Sequence, residues 1–157
     1  MLNQGNKGKP GFTLIELLVV ISIIGLLGSI IVASTRTARA RARDSKRIAE
    51  LRQVKLGLDM YNNEADGYPQ RNDWDKAARN REMLACGPTP FFIIPSDPST
   101  GDPYDYENGG TNSRSKCENG QVYSTFKIEF ATEQASALGP AQTYYLYPGG
   151  FTSIPPF

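Results

Sequence analysis

The sequence predicts an α+β fold in which one long N-terminal helix packs on a small antiparallel β-sheet. Three observations carry the prediction. Residues Leu17 to Ala33 hold no charge, and no proline interrupts the chain from Phe12 to about Asn63. Further along, Ile48, Leu51, Val54, Leu58 and Tyr61 recur every three or four residues, one face of a helix that needs a cover. From Gln121 to Phe130 the pattern changes to alternation, with Val122, Ser124, Phe126, Ile128 and Phe130 on one side, the mark of a half-buried strand.

Length and composition narrow the function classes. At 157 residues the chain supports one small domain beside the helix, and a net charge of +1 gives no global field toward nucleic acid. The chain contains no histidine, which removes the commonest general base and metal ligand. No phosphate loop, dinucleotide fingerprint, zinc-ligand spacing or nucleophile elbow occurs, so the expectation is a protein that is not an enzyme. The two cysteines, Cys86 and Cys117, read most simply as a disulfide in an oxidising compartment, the alternative being two unpaired thiols.

Residues 1–11 form a polar, basic leader, too short and hydrophilic for a secretory signal peptide. The uncharged run after it lies at the lower edge of what spans a bilayer. Glu16 stands just inside its N-terminal edge, with nothing nearby in sequence to neutralise it. A carboxylate entering hydrocarbon costs roughly 2.5–3.5 kcal/mol, which marks Glu16 as functional. A continuous helix from Phe12 to Asn63 would extend roughly 78 Å at 1.5 Å per residue, with Gly67 and Pro69 ending it.

Arg36, Arg39, Arg41, Arg43, Lys46 and Arg47 crowd one segment with Asp44 alone to offset them. They read as a solvated helix face at the membrane exit, with phospholipid headgroups or DNA as the functional alternatives. By charge count the positive-inside tendency would place the C-terminal region in the cytoplasm. A second helix is expected from Asp73 to Leu84, capped by Asn72 or Asp73. Gly87 to Pro90 reads as a linker, Asn108-Gly109-Gly110 as a turn, Thr111 to Gly120 as a polar loop, and Thr143 to Tyr147 as a second strand ended by Pro148-Gly149-Gly150. The Phe151–Phe157 segment has no assignment. Asp97, Asp102 and Asp105 are weak calcium candidates, set against their ordinary use as turn formers.

Gly11-Phe12-Thr13-Leu14-Ile15-Glu16, followed by an unbroken apolar run, resembles the prepilin motif of type IV pilins and type II secretion pseudopilins. The stretch from Phe91 to Tyr106, taken with Tyr68-Pro69, resembles the segment of major pseudopilins in which an apolar run leads to a Pro-x-Asp-Pro turn and a Tyr-x-Tyr strand. The resemblance implies the type IV pilin fold: a leader over 1–11 that is removed, an assembly half-helix over 12–34, an amphipathic half-helix over 35–66, and a globular region over 67–157. It implies that a prepilin peptidase cuts after Gly11 and methylates the Phe12 amine, and that Glu16 then meets the Phe12 amine of an adjoining subunit in a helical homopolymer. The implied partners are the peptidase, an inner-membrane assembly platform and the membrane before assembly, with the N-terminus cytoplasmic. The product is a pilus on the cell surface or a secretion pseudopilus. A membrane-anchored binding module is the alternative from another class. No cofactor is implied beyond calcium, which major pseudopilins hold in an acidic C-terminal loop; the last twenty residues here carry no acidic group.

Overall fold

The structure is a computed structural model and describes residues 11–80, 83, 90, 92–117 and 120–157. Its elements are helix α1 (Leu14–Ala65), strand β1 (Tyr68–Pro69), helix α2 (Arg71–Asn80) and strands β2 (Asp105–Arg114), β3 (Gln121–Ala131), β4 (Thr143–Tyr147) and β5 (Gly150–Thr152). The chain divides into two units with the boundary between Ala38 and Arg39.

In the first unit no described residue packs on α1. Every large apolar side chain from Phe12 to Val32 is exposed, and α1 is by length and composition long and apolar enough to cross a membrane. Its few polar side chains are satisfied within the helix. The hydroxyls of Ser22, Ser29 and Thr35 donate to the carbonyls of Leu18, Leu26 and Ile31, each at 2.8 Å. That is the economy required where no water can reach.

In the second unit the same helix becomes one wall of a core. Ile48, Leu51, Val54, Leu58, Tyr61 and Ala65 are buried, as their spacing predicts. The antiparallel sheet covers them. β3 is its central strand, with β2 along one edge and β1 and β4 sharing the other; β5 lies outside β4. Val122, Phe126, Ile128 and Phe130 of β3 point into the core beside Tyr106 of β2 and Tyr144 and Leu146 of β4. From α2, Trp74 stacks on Tyr106 with ring centroids 4.6 Å apart, and Tyr68 of β1 meets Phe126 edge-on at 4.7 Å. Buried Tyr106 keeps its hydroxyl satisfied by donating to the Pro69 carbonyl at 2.6 Å.

Four local expectations need correction. Helix α1 runs two residues past Asn63 to Ala65, stopping ahead of Gly67 and Pro69, and the residue that closes it is Asp66, φ 69°, whose amide donates to the Asn62 carbonyl at 2.9 Å. Gly67 is required for a different reason: a Cβ there would lie 2.7 Å from Val122. Helix α2 starts at Arg71, two residues before Asp73. Its cap comes partly from the Gln70 carbonyl, which accepts from Asp73 and Trp74, and partly from Asn108 Oδ1, which accepts the Arg71 amide at 2.8 Å. Leu84, the expected end of that helix, lies outside the described residues.

The Asn108-Gly109-Gly110 stretch is not a turn, and Thr111 to Arg114 is not a loop; both belong to β2. The register shifts between Gly109 and Asn112, a bulge that Gly110 accommodates at φ 75°. The facing Ser124 accepts the Thr111 amide on Oγ at 3.1 Å, which explains why this one residue of the inward β3 pattern is exposed and polar. The Phe151–Phe157 segment also has a place. Phe151 in β5 packs edge-on against Phe130 at 5.7 Å, and Lys127 Nζ stands 4.9 Å above the Phe157 ring. Of the expected linker, Gly87 to Thr89 lie outside the described residues.

Candidate processing and assembly site

The head of α1 sets out the motif residues in sequence order on an exposed backbone. A Cβ added at Gly11 would meet nothing within 4 Å, and Phe12 is 86% exposed. Thr13 is the N-cap. Its amide and its hydroxyl both donate to Glu16 Oε2, at 2.8 and 2.7 Å, while the Glu16 amide donates back to Thr13 Oγ1 at 3.3 Å. This is a capping box: Thr at the cap, Glu three residues on, each satisfying the other's orphan donor. The expectation that nothing local could meet the Glu16 charge is therefore corrected. The residue pattern Thr-x-x-Glu was the signal that could have found it, and the helix N-terminus adds a favourable dipole for a carboxylate.

A second constellation lies where the crowded basic segment enters the globular unit. Arg36, Arg39 and Arg41 are exposed, as expected of a solvated face, but Arg47 and Asp44 are buried. Arg47 forks onto Asp97 at 2.7 and 2.9 Å, reaches Asp44 Oδ1 at 2.6 Å and Glu133 Oε1 at 3.0 Å, and donates to Ser99 Oγ. Arg43 pairs with Glu133 from the helix face beside it. Asp44 uses its second role to accept the amides of Glu133 and Gln134 at 3.0 and 2.8 Å. Two loops, 97–102 and 132–139, are thereby tied to α1.

The electrostatics follow from these contacts. The hydrogen bonds from Arg47 hold the Asp97 carboxyl below its ordinary range, and the hydrogen bond to Asp97 raises the Arg47 guanidinium further above its own. Arg43, chiefly, with Ser99 and Arg47, lowers Glu133 to about 2. The solvated-face reading thus fails for Arg43, Asp44 and Arg47. The missed signal was that Asp44 and Arg47 extend the Ile48–Leu51 stripe backwards at helical spacing.

The remaining candidates are dispersed. Both oxygens of Asp97 are taken by Arg47, with Ser99 and Thr100 amides also on Oδ1. Asp102 shares the Asp97 turn through the Asp97 amide, which donates to its carbonyl at 2.8 Å, and Asp105 pairs with Arg71. Among the described residues no group of three or more metal-ligating side chains gathers. Cys117 packs against the core with its amide donated to Ser115 Oγ at 3.0 Å; Cys86 lies outside the described residues.

An exposed apolar helix headed by a capped Gly-Phe-Thr-Leu-Ile-Glu motif, continuous with a helix that carries a small sheet, defines a class of membrane-borne filament proteins. The model of the prokaryotic N-terminal methylation motif matches residues 6–32. The type II secretion system core protein G of Aeromonas hydrophila is 31% identical over 104 residues, covering 62% of this chain and 72% of that protein. Its counterpart from Pectobacterium carotovorum is 29% identical over 117 residues, 71% of this chain and 74% of that one. The type IV wide pilus major component PilA4 of Thermus thermophilus is 40% identical over 62 residues, 40% of this chain and 47% of the relative. The chain belongs to the type IV pilin and type II secretion pseudopilin family.

Proposed function

We propose that this protein is a structural subunit that polymerises through the N-terminal half of α1 into a type IV pilus-like filament. The observation that carries the reading is the run of exposed apolar side chains from Phe12 to Val32, which no part of the described chain covers, headed by the methylation motif. Such a surface is stable in lipid before assembly and against copies of itself afterwards. A prepilin peptidase removes residues 1–11 by cutting between Gly11 and Phe12, and the Phe12 amine is methylated. The exposed backbone at Gly11 supports that cut, since an enzyme reaches it without unfolding anything. The segments 12–34, 35–66 and 67–157 are then the assembly half-helix, the amphipathic half-helix and the globular region. Glu16 serves register: buried among neighbouring apolar helices, its charge demands a cation, and the Phe12 amine of an adjoining copy supplies it. Cys86 and Cys117 form one disulfide, in keeping with the lack of any free thiol among the described cysteines. Before assembly the chain sits in the cell membrane with its N-terminus cytoplasmic, handled by an inner-membrane platform. It does no catalysis.

The second reading, a subunit of a secretion pseudopilus, is favoured by the relatives named core protein G. One experiment addresses both: electron microscopy of material sheared from cells, with mass spectrometry of the subunit. Surface filaments built of chains beginning at methylated Phe12 support the pilus. Processed chains that stay with the cell envelope support the pseudopilus. A chain still beginning at Met1 refutes both.

A further inference from the structure

Two charged features of the globular unit carry side chains that have no ion-pair partner among the described residues. The first is a like-charge pair in the sheet. In the β2–β3 register Asp105 stands directly opposite Glu129, so two carboxylates share one cross-strand site on the outward face. Such a pairing is destabilising in an isolated sheet. Asp105 is relieved by Arg71 at 2.7 Å, whereas Glu129 is exposed and makes no hydrogen bond or ion pair among the described residues. The second is a groove of about 410 Å³ between α1 and the 135–137 loop, floored by Ile48 and Ala49. Arg41 and Arg52 line it from the same side of α1, three helical turns apart. Both are exposed and, among the described residues, both lack an anionic partner, although Asp44 and Arg47 beside them are fully engaged.

We propose that the outward sheet face at Glu129 of one copy docks on the Arg41–Arg52 groove of a second copy. The occupant is argued by charge: a carboxylate repelled by its own sheet on one surface, two unneutralised guanidiniums on another. The two surfaces are different patches of one molecule, so the contact is heterologous and repeats from copy to copy instead of closing a dimer. This rests on the filament reading and adds to it a contact between globular regions, separate from the apolar helix packing. It also assigns a use to a cross-strand repulsion that the fold itself has no need of.

The test is a charge exchange in the full-length chain. Glu129→Lys replaces a repulsion with an attraction to Asp105, so its unfolding midpoint should hold or rise, yet its sheared-filament yield should drop about tenfold. Arg41→Glu/Arg52→Glu should lower yield similarly with processing at Phe12 intact. Combining the three changes should restore most of the yield. Separately, in membranes of cells carrying Arg52→Lys, a carbodiimide should link the new amine to Glu129 of another copy, identified as a cross-linked peptide. Cross-links without filaments would uphold this contact while removing the filament reading. Filaments from the wild type with no cross-link and no rescue on exchange would overturn the contact. A defect confined to the arginine variants would overturn it too, and would assign the groove to an anionic surface such as lipid headgroups.

Discussion

Replacing Arg47 with methionine keeps the apolar stem of the side chain and removes the one cation that three carboxylates share. The cost follows from who is left behind. Asp44, 2% exposed at its side chain, retains the Glu133 and Gln134 amides; Asp97, 17% exposed, retains the Ser99 amide; Glu133, 33% exposed, retains Arg43. Each anion keeps a donor, and two of the three have some water, so the loss should fall at the low end of the range for breaking a buried pair, about 3 kcal/mol. With a urea slope of about 1–3 kcal/mol/M, the unfolding midpoint should fall by about 1–3 M. Urea titration of the detergent-solubilised full chain, followed by the fluorescence of Trp74, reads this directly. Arg47→Lys should give an intermediate loss, because an ammonium keeps the charge but not the fork that spans Asp97. A loss under about 1 kcal/mol, or an equal loss from Arg52→Met, would refute the assignment of Arg47 as the centre of this network.

Other expectations are shorter to state. Glu133 has a folded pKa of about 2, below the roughly 4.3 of a free glutamate, so its stabilisation is full above that value and fades as pH falls toward 2. The stability gap between wild type and Glu133→Gln should therefore be widest near neutrality and close in acid; a gap unchanged with pH would count against the ion pairs. Phe126, 0% exposed in the sheet core, should cost about 3–5 kcal/mol when cut to alanine, whereas Thr125→Ala on the opposite face should stay within about 0.5 kcal/mol; equal losses would mean the strand faces are misassigned. Glu16→Leu should still insert and be cut at Phe12 but should abolish or sharply slow filament assembly, and normal filament yield would remove Glu16 as the register element.

What could be read from the sequence was whatever depends on periodicity. The α1 stripe and the alternation of β3 are set by burial on one side, and both appear where the spacing puts them. The strand β4 has the bounds its aromatic run predicts. What could not be read depends on partners distant in sequence. Asn108 helps cap α2 across 37 residues, and Ser124 steadies a bulge that turns an apparent Gly-Gly turn into strand. The charge network was hidden because arginine is expected outside; only carboxylates 50 and 86 residues away make its burial tolerable. At the head of the chain the motif residues were legible one by one, and the Thr-x-x-Glu spacing also carried the bond between Thr13 and Glu16, which a helix start at Leu14 makes a capping box.

The position of that network along α1 has a consequence for anyone who cuts the protein to make it soluble. Helix residues before Arg39 belong to the first unit, and the apolar core proper starts at Ile48, so a cut just before Ile48 looks harmless. It is not. A fragment starting at Ile48 would keep Asp97 and Glu133 but lose Arg43 and Arg47, stranding two anions where the full chain supplies two cations, and it would release the 133–134 amides that Asp44 holds. A fragment starting at Arg39 retains every member of the set. Nine residues of helix, all of them polar or small, separate a self-sufficient domain from a loosely closed one.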